Sequence, residues 1–207
     1  MSDTHRRDIK LNIISAVDLK MGIGKDDVLP WHIPSEFRYF LDVTSNPRKQ
    51  DEKHKLRNAV IVGRKTWDSM ENVTSKPHPG ALNIVLSRRN SEPLNYPNTI
   101  VCSSIDSVVE LLTTDPKYRD NIDQVWVIGG TQVYRSALLS PHFHRLYLSR
   151  IKATYLCDSF FPNEFNEQLY ERVSDDKIGD DRIPIGEQTD EKTGVKFEVC
   201  VYEKKIL

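Results

Sequence analysis

Apolar residues along this 207-residue chain gather into short runs divided by polar, glycine- or proline-marked turns. Six runs are rich in β-branched residues: "IKLNIISAV" (9–17), "NAVIVG" (58–63), "LNIVLS" (82–87), "TIVC" (99–102), "QVWVIGG" (124–130) and "RLYLSRI" (145–151). Their length and composition suit strands. The nearly unbroken apolar character of 59–62, 84–86 and 125–128 suits strands covered on both faces. Two more segments, about 168–174 and 195–203, alternate as half-exposed strands do. Helical spacing occurs near 35–44, 64–70, 104–113 and 130–139. Strand and helix alternate through most of the chain, which predicts an α/β fold with a mainly parallel sheet and an antiparallel C-terminal hairpin at one edge. Two polar stretches, 45–57 and 175–194, read as a surface loop and as an excursion within that hairpin. No repeat or linker divides the chain, so one domain over 1–207, with its core at about 9–204, is expected.

One position breaks this pattern. In "LPWHIPSEFRYFLDV" (29–43) the helix beginning at Pro34 carries Glu36 on the side of Phe37, Phe40 and Val43, with Arg38 and Asp42 opposite. A lone carboxylate in an apolar stripe costs stability unless something pairs with it. Composition narrows the setting. With 38% hydrophobic and 29% charged residues and a net charge of −1, no global field points to nucleic acid or an anionic membrane. No run approaches the ~20 apolar residues of a membrane span. The start "MSDTHRRDIK" lacks the apolar core of a secretion signal. Cys102, Cys157 and Cys200 are widely spaced with no C-x-x-C, as expected of reduced thiols in the cytosol. His142 and His144 share a strand face, but no further ligand stands at metal spacing, and no metal is expected.

Three glycine-marked turns are candidates for chemistry. "AVDLKMGIGKDDVLPW" (16–31) has G-x-G without a third glycine, and no helix follows at once, so it fails the dinucleotide fingerprint. It reads as a loop able to close over a ligand. "VIVGRKTWDSM" (60–70) ends a strand at Gly63 and starts a helix with Arg64, Lys65 and Thr66, which suits a pyrophosphate or, equally, a solvated basic turn. "VWVIGGTQVY" (125–134) repeats strand, glycines and helix, and a second helix start aimed at the same crevice would favour a dinucleotide. "LSRR" (86–89) closes another strand with Ser87, Arg88 and Arg89, groups suited to a phosphate monoester such as the 2′-phosphate of NADP. No G-x-S-x-G elbow, P-loop or activated cysteine competes with this reading.

The segments "LNIISAVDLKMGIGKDDVLPW", "SEFRYF", "NAVIVGRKTW", "LNIVLSR", "VWVIGGTQVY" and "CDSFFP" stand in the order and spacing of dihydrofolate reductases. The chain resembles that family from about Leu11 to Glu203, in a eukaryotic style. The resemblance implies a central, mostly parallel eight-stranded sheet with an antiparallel C-terminal edge strand and four flanking helices. It also implies NADPH-dependent reduction of 7,8-dihydrofolate to tetrahydrofolate, serving one-carbon and thymidylate metabolism. Glu36 matches the family's active-site carboxylate, with a pKa raised by burial. Leu29 and Trp31 match loop residues over the reacting rings, and Ser149 matches a usual threonine bonded through water to the pterin. Phe37, Phe40 and Met70 match residues that flank the substrate. Ile14 and Ile128 match positions whose carbonyls meet the pterin amino group, near Tyr134. For the cofactor, Ala16, Ile23 and Gly24 match contacts in the first loop. Arg64, Lys65, Thr66, Ser87 and Arg88 match those in the basic turns. Gly129, Gly130, Thr131 and Gln132 match those at the double glycine, whose peptide is cis in this family. Antifolates are expected ligands, and a cytoplasmic monomer with no membrane or obligate nucleic-acid partner is expected. Thymidylate synthase is expected to be a separate chain.

The resemblance fails in one place. Before the third main strand the family carries an arginine that binds the folate α-carboxylate, whereas "KPHPGALNIVLS" keeps Pro77, Gly80 and Asn83 but has Ala81. Met70, Glu71 and His78 also stand where Ile, Pro and Leu are common. Three readings follow: a working dihydrofolate reductase with a weakened tail contact, compensated by Lys76 or Arg38; a reductase of a tail-less pteridine or of a riboflavin-pathway pyrimidine; or a poorly active paralogue kept for binding, for instance to RNA. Glu36 disfavours the pyrimidine, and the near-neutral charge and complete pterin pocket disfavour the paralogue.

Overall fold

The β-branched runs form the strands of one large sheet. The computed structural model describes residues 8–49, 55–72, 75–88, 93–166 and 168–205; Arg89, residues 1–7 and residues 50–54 of the polar loop lie outside them. The strands are β1 (Leu11–Val17), β2 (Gly22–Gly24), β3 (Arg57–Gly63), β4 (Leu82–Leu86), β5 (Thr99–Cys102), β6 (Ile122–Gly129), β7 (Phe143–Ile151), β8 (Ser159–Phe160), β9 (Tyr170–Arg172), β10 (Glu187–Thr189) and β11 (Lys196–Lys204). The helices are α1 (Pro34–Ser45), α2 (Arg64–Ser69), α3 (Ile105–Thr114), α4 (Pro116–Arg119), α5 (Thr131–Leu139) and α6 (Asp175–Ile178). The four expected helices are α1, α2, α3 and α5; α4 and α6 are single turns.

Eight strands run in the order β10-β11-β7-β1-β6-β3-β4-β5, and β9 also pairs with β11. From β7 to β5 every pairing is parallel. As expected, β11 runs antiparallel to β7, and the short β9 and β10 pair antiparallel with β11 beyond it. The excursion at 175–194 interrupts the β9–β11 hairpin as read from the sequence. A separate pair, β2 with β8, was not legible in the sequence. No helix among the described residues is long and apolar enough to cross a membrane.

Alternation along the strands sends side chains to two layers. Ile13, Ile61, Ile84 and Val127 pack against Val108 and Leu112 of α3 and Val133 and Leu138 of α5. Ile14, Val60, Trp126, Tyr147 and Val201 pack against Tyr39 and Val43 of α1 on the other face. Val62 and Val85 extend that second face beneath Trp67 of α2. Neighbouring strands β1 and β6 therefore lead into α1 and α5 on opposite faces. Such a switch opens a crevice beyond the carboxyl ends of the strands, where α/β proteins bind ligands.

Candidate active site

Glu36 lies in the first turn of α1, where Pro34 pre-sets the helical φ. The N-cap Ile33 has no side chain able to accept a hydrogen bond. Asp190, from the turn between β10 and β11, takes that role: its Oδ2 accepts from Ser35 N at 2.9 Å and Ser35 Oγ at 2.8 Å. Its Oδ1 accepts from the N–H groups of Lys192 and Thr193. Donors, led by the Ser35 N–H, hold the Asp190 carboxyl well below the usual range. Glu36 thereby faces the sheet at 5% exposure. Burial raises its pKa from 4.5 to about 7, as expected, while the Ser149 hydroxyl facing it from β7 pulls the other way. The buried stripe of α1 is Glu36, Tyr39 and Val43, whereas Phe37 and Phe40 are half-buried and stack at 5.7 Å. Two aromatic edges are thus left at the mouth of the cleft. Trp31 Nε1 and Tyr39 OH are buried without a hydrogen-bond partner among the described residues.

The other residues expected at the substrate site converge here. Ile14, Trp31, Ala16, Leu29, Phe40 and Ile128 share one apolar cluster. The Tyr134 hydroxyl donates to the Ile14 carbonyl at 3.0 Å and is pushed well above its usual pKa by burial. Met70 sits one step away, packed with Trp67 and Ile128.

Beside this cleft, β3 and β6 pair so that Val62 stands opposite Gly129, and each strand ends in glycine before a helix. Neither α2 nor α5 has a side-chain cap, so the first N–H groups of each have no such acceptor. The Gly129–Gly130 peptide is cis, as is Lys76–Pro77. A Cβ on Gly130 would come within 2.8 Å of Thr66 Oγ1, and Gly129 has φ +131, so neither position accommodates a side chain. Backbone N–H groups, Thr66 and two cationic side chains make a cradle whose chemistry fits a pyrophosphate. Arg64 and Lys65 stand at its rim, paired with Asp68 at 3.0 Å and Asp27 at 2.8 Å. Ser87 and the exposed Arg88 follow β4, next to β3, where Gly63 pairs with Leu86. Ile23 and Gly24 lie on β2. Thr131 Oγ1 donates to Phe160 O at 2.9 Å, and Gln132 is exposed.

The far end of the cleft carries the departure. Ala81 is buried in the Phe40 cluster. His78 meets Phe40 edge-on at 5.6 Å and lies 2.9 Å from Thr44 Oγ1 through Nε2. Because Thr44 Oγ1 donates to Phe40 O, it accepts from His78 Nε2–H. Burial lowers the His78 pKa to about 4, so the ring is neutral at physiological pH. The two candidate compensating cations stand in different settings. The Lys76 ammonium stands over the rings of Trp67 and Tyr96, at 5.4 and 5.2 Å, and Arg38 is exposed on α1.

Sequence reasoning missed three organising acids. Asp18, buried after β1, accepts from Lys20 N and Gly22 N at 2.8 Å and Tyr155 N at 2.9 Å. Burial would raise its pKa, but those N–H groups outweigh it and hold the carboxyl below its usual value. Asp158 accepts from Asp26 N at 3.0 Å, joining the first loop to β8. Asp190 is the third. An aspartate four residues before the first glycine of a G-x-G turn is a local signal that could have found Asp18; the other two act across distant sequence.

Residues 10–204 match the dihydrofolate reductase family. The dihydrofolate reductase of Aedes albopictus is 35% identical over 197 residues, covering 94% of this chain and 97% of that protein. That of Sus scrofa is 36% identical over 195 residues, with 94% and 97% covered. The bifunctional dihydrofolate reductase-thymidylate synthase of Daucus carota is 42% identical over 154 residues, and the match spans 72% of this chain but 28% of that protein. Among solved structures, Schistosoma mansoni dihydrofolate reductase superposes with a TM-score of 0.74 at 30% identity, covering 95% of this chain and 98% of that one. A carboxylate buried beside two glycine-ended strands and an extended match to complete reductases lead to one conclusion: the chain belongs to the dihydrofolate reductase family, the NADPH-using reductases of folate metabolism.

Proposed function

We propose that this chain reduces 7,8-dihydrofolate to 5,6,7,8-tetrahydrofolate, with Glu36 as the residue that holds and polarises the pterin. The observation that carries this reading is the burial of Glu36, its pKa raised to about 7, on the helix that leaves Phe37 and Phe40 half-buried. A pterin presents a ring N–H and an exocyclic amino group side by side, a fork that a carboxylate accepts bidentately. Phe37 and Phe40 would flank the pterin and the benzoyl ring, and the Ile14 and Ile128 carbonyls would accept from the pterin amino group. When bound, NADPH supplies the hydride for pterin C6. Glu36 favours protonation of N5, through water held near Leu29 and Trp31, without itself reaching that nitrogen. A carboxyl titrating near neutral pH is matched to this task. Ser149, facing the carboxylate, helps orient it and the water. Gly129, Gly130, Thr131 and Gln132 would hold the cofactor pyrophosphate, with Ala16, Ile23 and Gly24 beside the nicotinamide. Arg64, Lys65, Thr66, Ser87 and Arg88 would hold its phosphates.

We read residues 9–204 as one folding unit, because a continuous sheet joins β1 to β11. We further take the enzyme to act as a cytosolic monomer on dihydrofolate, with antifolates as competing ligands. Its three free cysteines suit that compartment.

A second reading, a reductase indifferent to the glutamate tail, is favoured by Ala81, the neutral His78 and the ring-bound Lys76. Steady-state NADPH oxidation with dihydrofolate and with a tail-less dihydropterin separates the two, since only the second reading predicts equal kcat/KM for both. Saturation with dihydrofolate at micromolar concentration is expected, and Glu36→Gln is expected to lose kcat most severely near neutral pH. No NADPH consumption at millimolar dihydrofolate would overturn the proposal. An equal loss at every pH would remove the protonation role of Glu36.

A further inference from the structure

The loop between β1 and α1 reaches across the cofactor crevice and ends on a cation. Its tip is a tight turn in which Lys25 and Val28 exchange N–H···O bonds, both at 3.0 Å. Its central residues, Asp26 and Asp27, have φ of 50° and 63°. Mirror-image turns require positive φ at both positions, and aspartate tolerates it better than most side chains. On one side the tip is tied to the segment leading into β8, where Asp158 accepts from Asp26 N and pairs with Lys25 at 3.3 Å. On the other side the Asp27 carboxylate meets Lys65 Nζ at 2.8 Å. Asp27 also pushes the Lys65 ammonium pKa up through that hydrogen bond.

We propose that Asp27 is an affinity-setting residue for the cofactor: its carboxylate occupies Lys65 and must yield that cation to the incoming phosphate. The inference rests on the reading of Lys65 as a phosphate ligand. In the paired state Lys65 offers an arriving anion little net charge. A phosphate oxygen then takes the ammonium from Asp27, or shares it with a carboxylate of its own sign close by. Either arrangement binds NADPH more weakly than an unopposed lysine would. It also makes cofactor arrival loosen the loop tip from α2 while the Asp158 tie remains. Both members of the pair are largely exposed, so the effect is modest and sensitive to salt.

The test is NADPH binding by quenching of tryptophan fluorescence, alongside the KM for NADPH, in four proteins: the parent, Asp27→Asn, Lys65→Met and the double variant. Asp27→Gly, which suits the positive φ, replaces Asp27→Asn if the latter unfolds. Asp27→Asn is expected to lower the Kd for NADPH about 2- to 5-fold, the range of an exposed ion pair. The gain is expected to shrink as salt is raised and to vanish in the Lys65→Met background. An unchanged or higher Kd for Asp27→Asn overturns the inference alone, provided Lys65→Met weakens binding. So does an equal gain with and without Lys65, because the carboxylate then acts by another route. If Lys65→Met binds NADPH as the parent does, the phosphate role of Lys65 falls and the inference falls with it.

Discussion

Replacing Glu36 by glutamine is expected to disable the enzyme and, above neutral pH, to make the ligand-free protein more stable. Burial raises the carboxyl pKa from 4.5 to about 7, so between those pH values the native state holds a proton that the unfolded chain has released. Stability from this group is therefore full below 4.5 and is lost as pH rises through 7. The loss amounts to roughly 3 kcal/mol, from 1.36 kcal/mol per pKa unit. Glutamine carries no charge to desolvate, so the variant lacks this slope. Its advantage grows from about zero near pH 5 toward an upper bound of ~3 kcal/mol near pH 8, less the cost of its imperfectly bonded amide. His78, lowered from 6.5 to about 4, has the opposite sign: its contribution is lost as pH falls through that window. It is present in both proteins and cancels in the difference. Urea unfolding followed by tryptophan fluorescence at several pH values measures the gap. A gap that does not change with pH, or a variant less stable than the parent near pH 8, would refute the desolvation argument. The expected result is a direct conflict between stability and activity at one residue.

Two further outcomes test the ends of the site. Ala81→Arg restores a cation at the tail end and is expected to lower the KM for dihydrofolate about tenfold or more, from ~1.5–3 kcal/mol per charge-assisted hydrogen bond. A dihydropterin without the tail is expected to show no change, and an unchanged KM for dihydrofolate would mean that another cation already holds the carboxylate. Asp190→Ala removes the acceptor at the start of α1 and is expected to lower the thermal midpoint by a few degrees while raising the KM for dihydrofolate; an unaltered midpoint would show that solvent replaces it fully.

Long, strongly patterned elements were readable from residue order. The buried strands β1, β3, β4 and β6 carry continuous β-branched runs, and α1, α3 and α5 carry helical spacing within a residue or two of their observed limits. The two- and three-residue strands β2, β8 and β10 have no period to detect, because pairing partners rather than composition create them. Glu36 stood out because its position conflicts with the apolar stripe around it. Tyr39 did not, because a tyrosine raises no conflict there. The residues that arrange the site act over sequence gaps that local patterns do not span: Asp190 is 155 positions from Ser35 and Asp158 is 132 from Asp26. The replacement at Ala81 was visible as a departure. The fates of Lys76 and His78 were not, since they depend on which rings and hydroxyls the fold brings beside them.

The Asp190 contact couples regions that the chain order keeps far apart. The helix bearing Glu36 has no cap of its own, and the last hairpin supplies one. Fraying of that hairpin leaves the Ser35 N–H and hydroxyl of α1 without their acceptor, so the two are expected to open as one cooperative unit in native-state amide exchange. Synthesis of the chain reaches Asp190 long after α1 has emerged. Helix α1 therefore acquires its final alignment only when the last strands have joined the sheet.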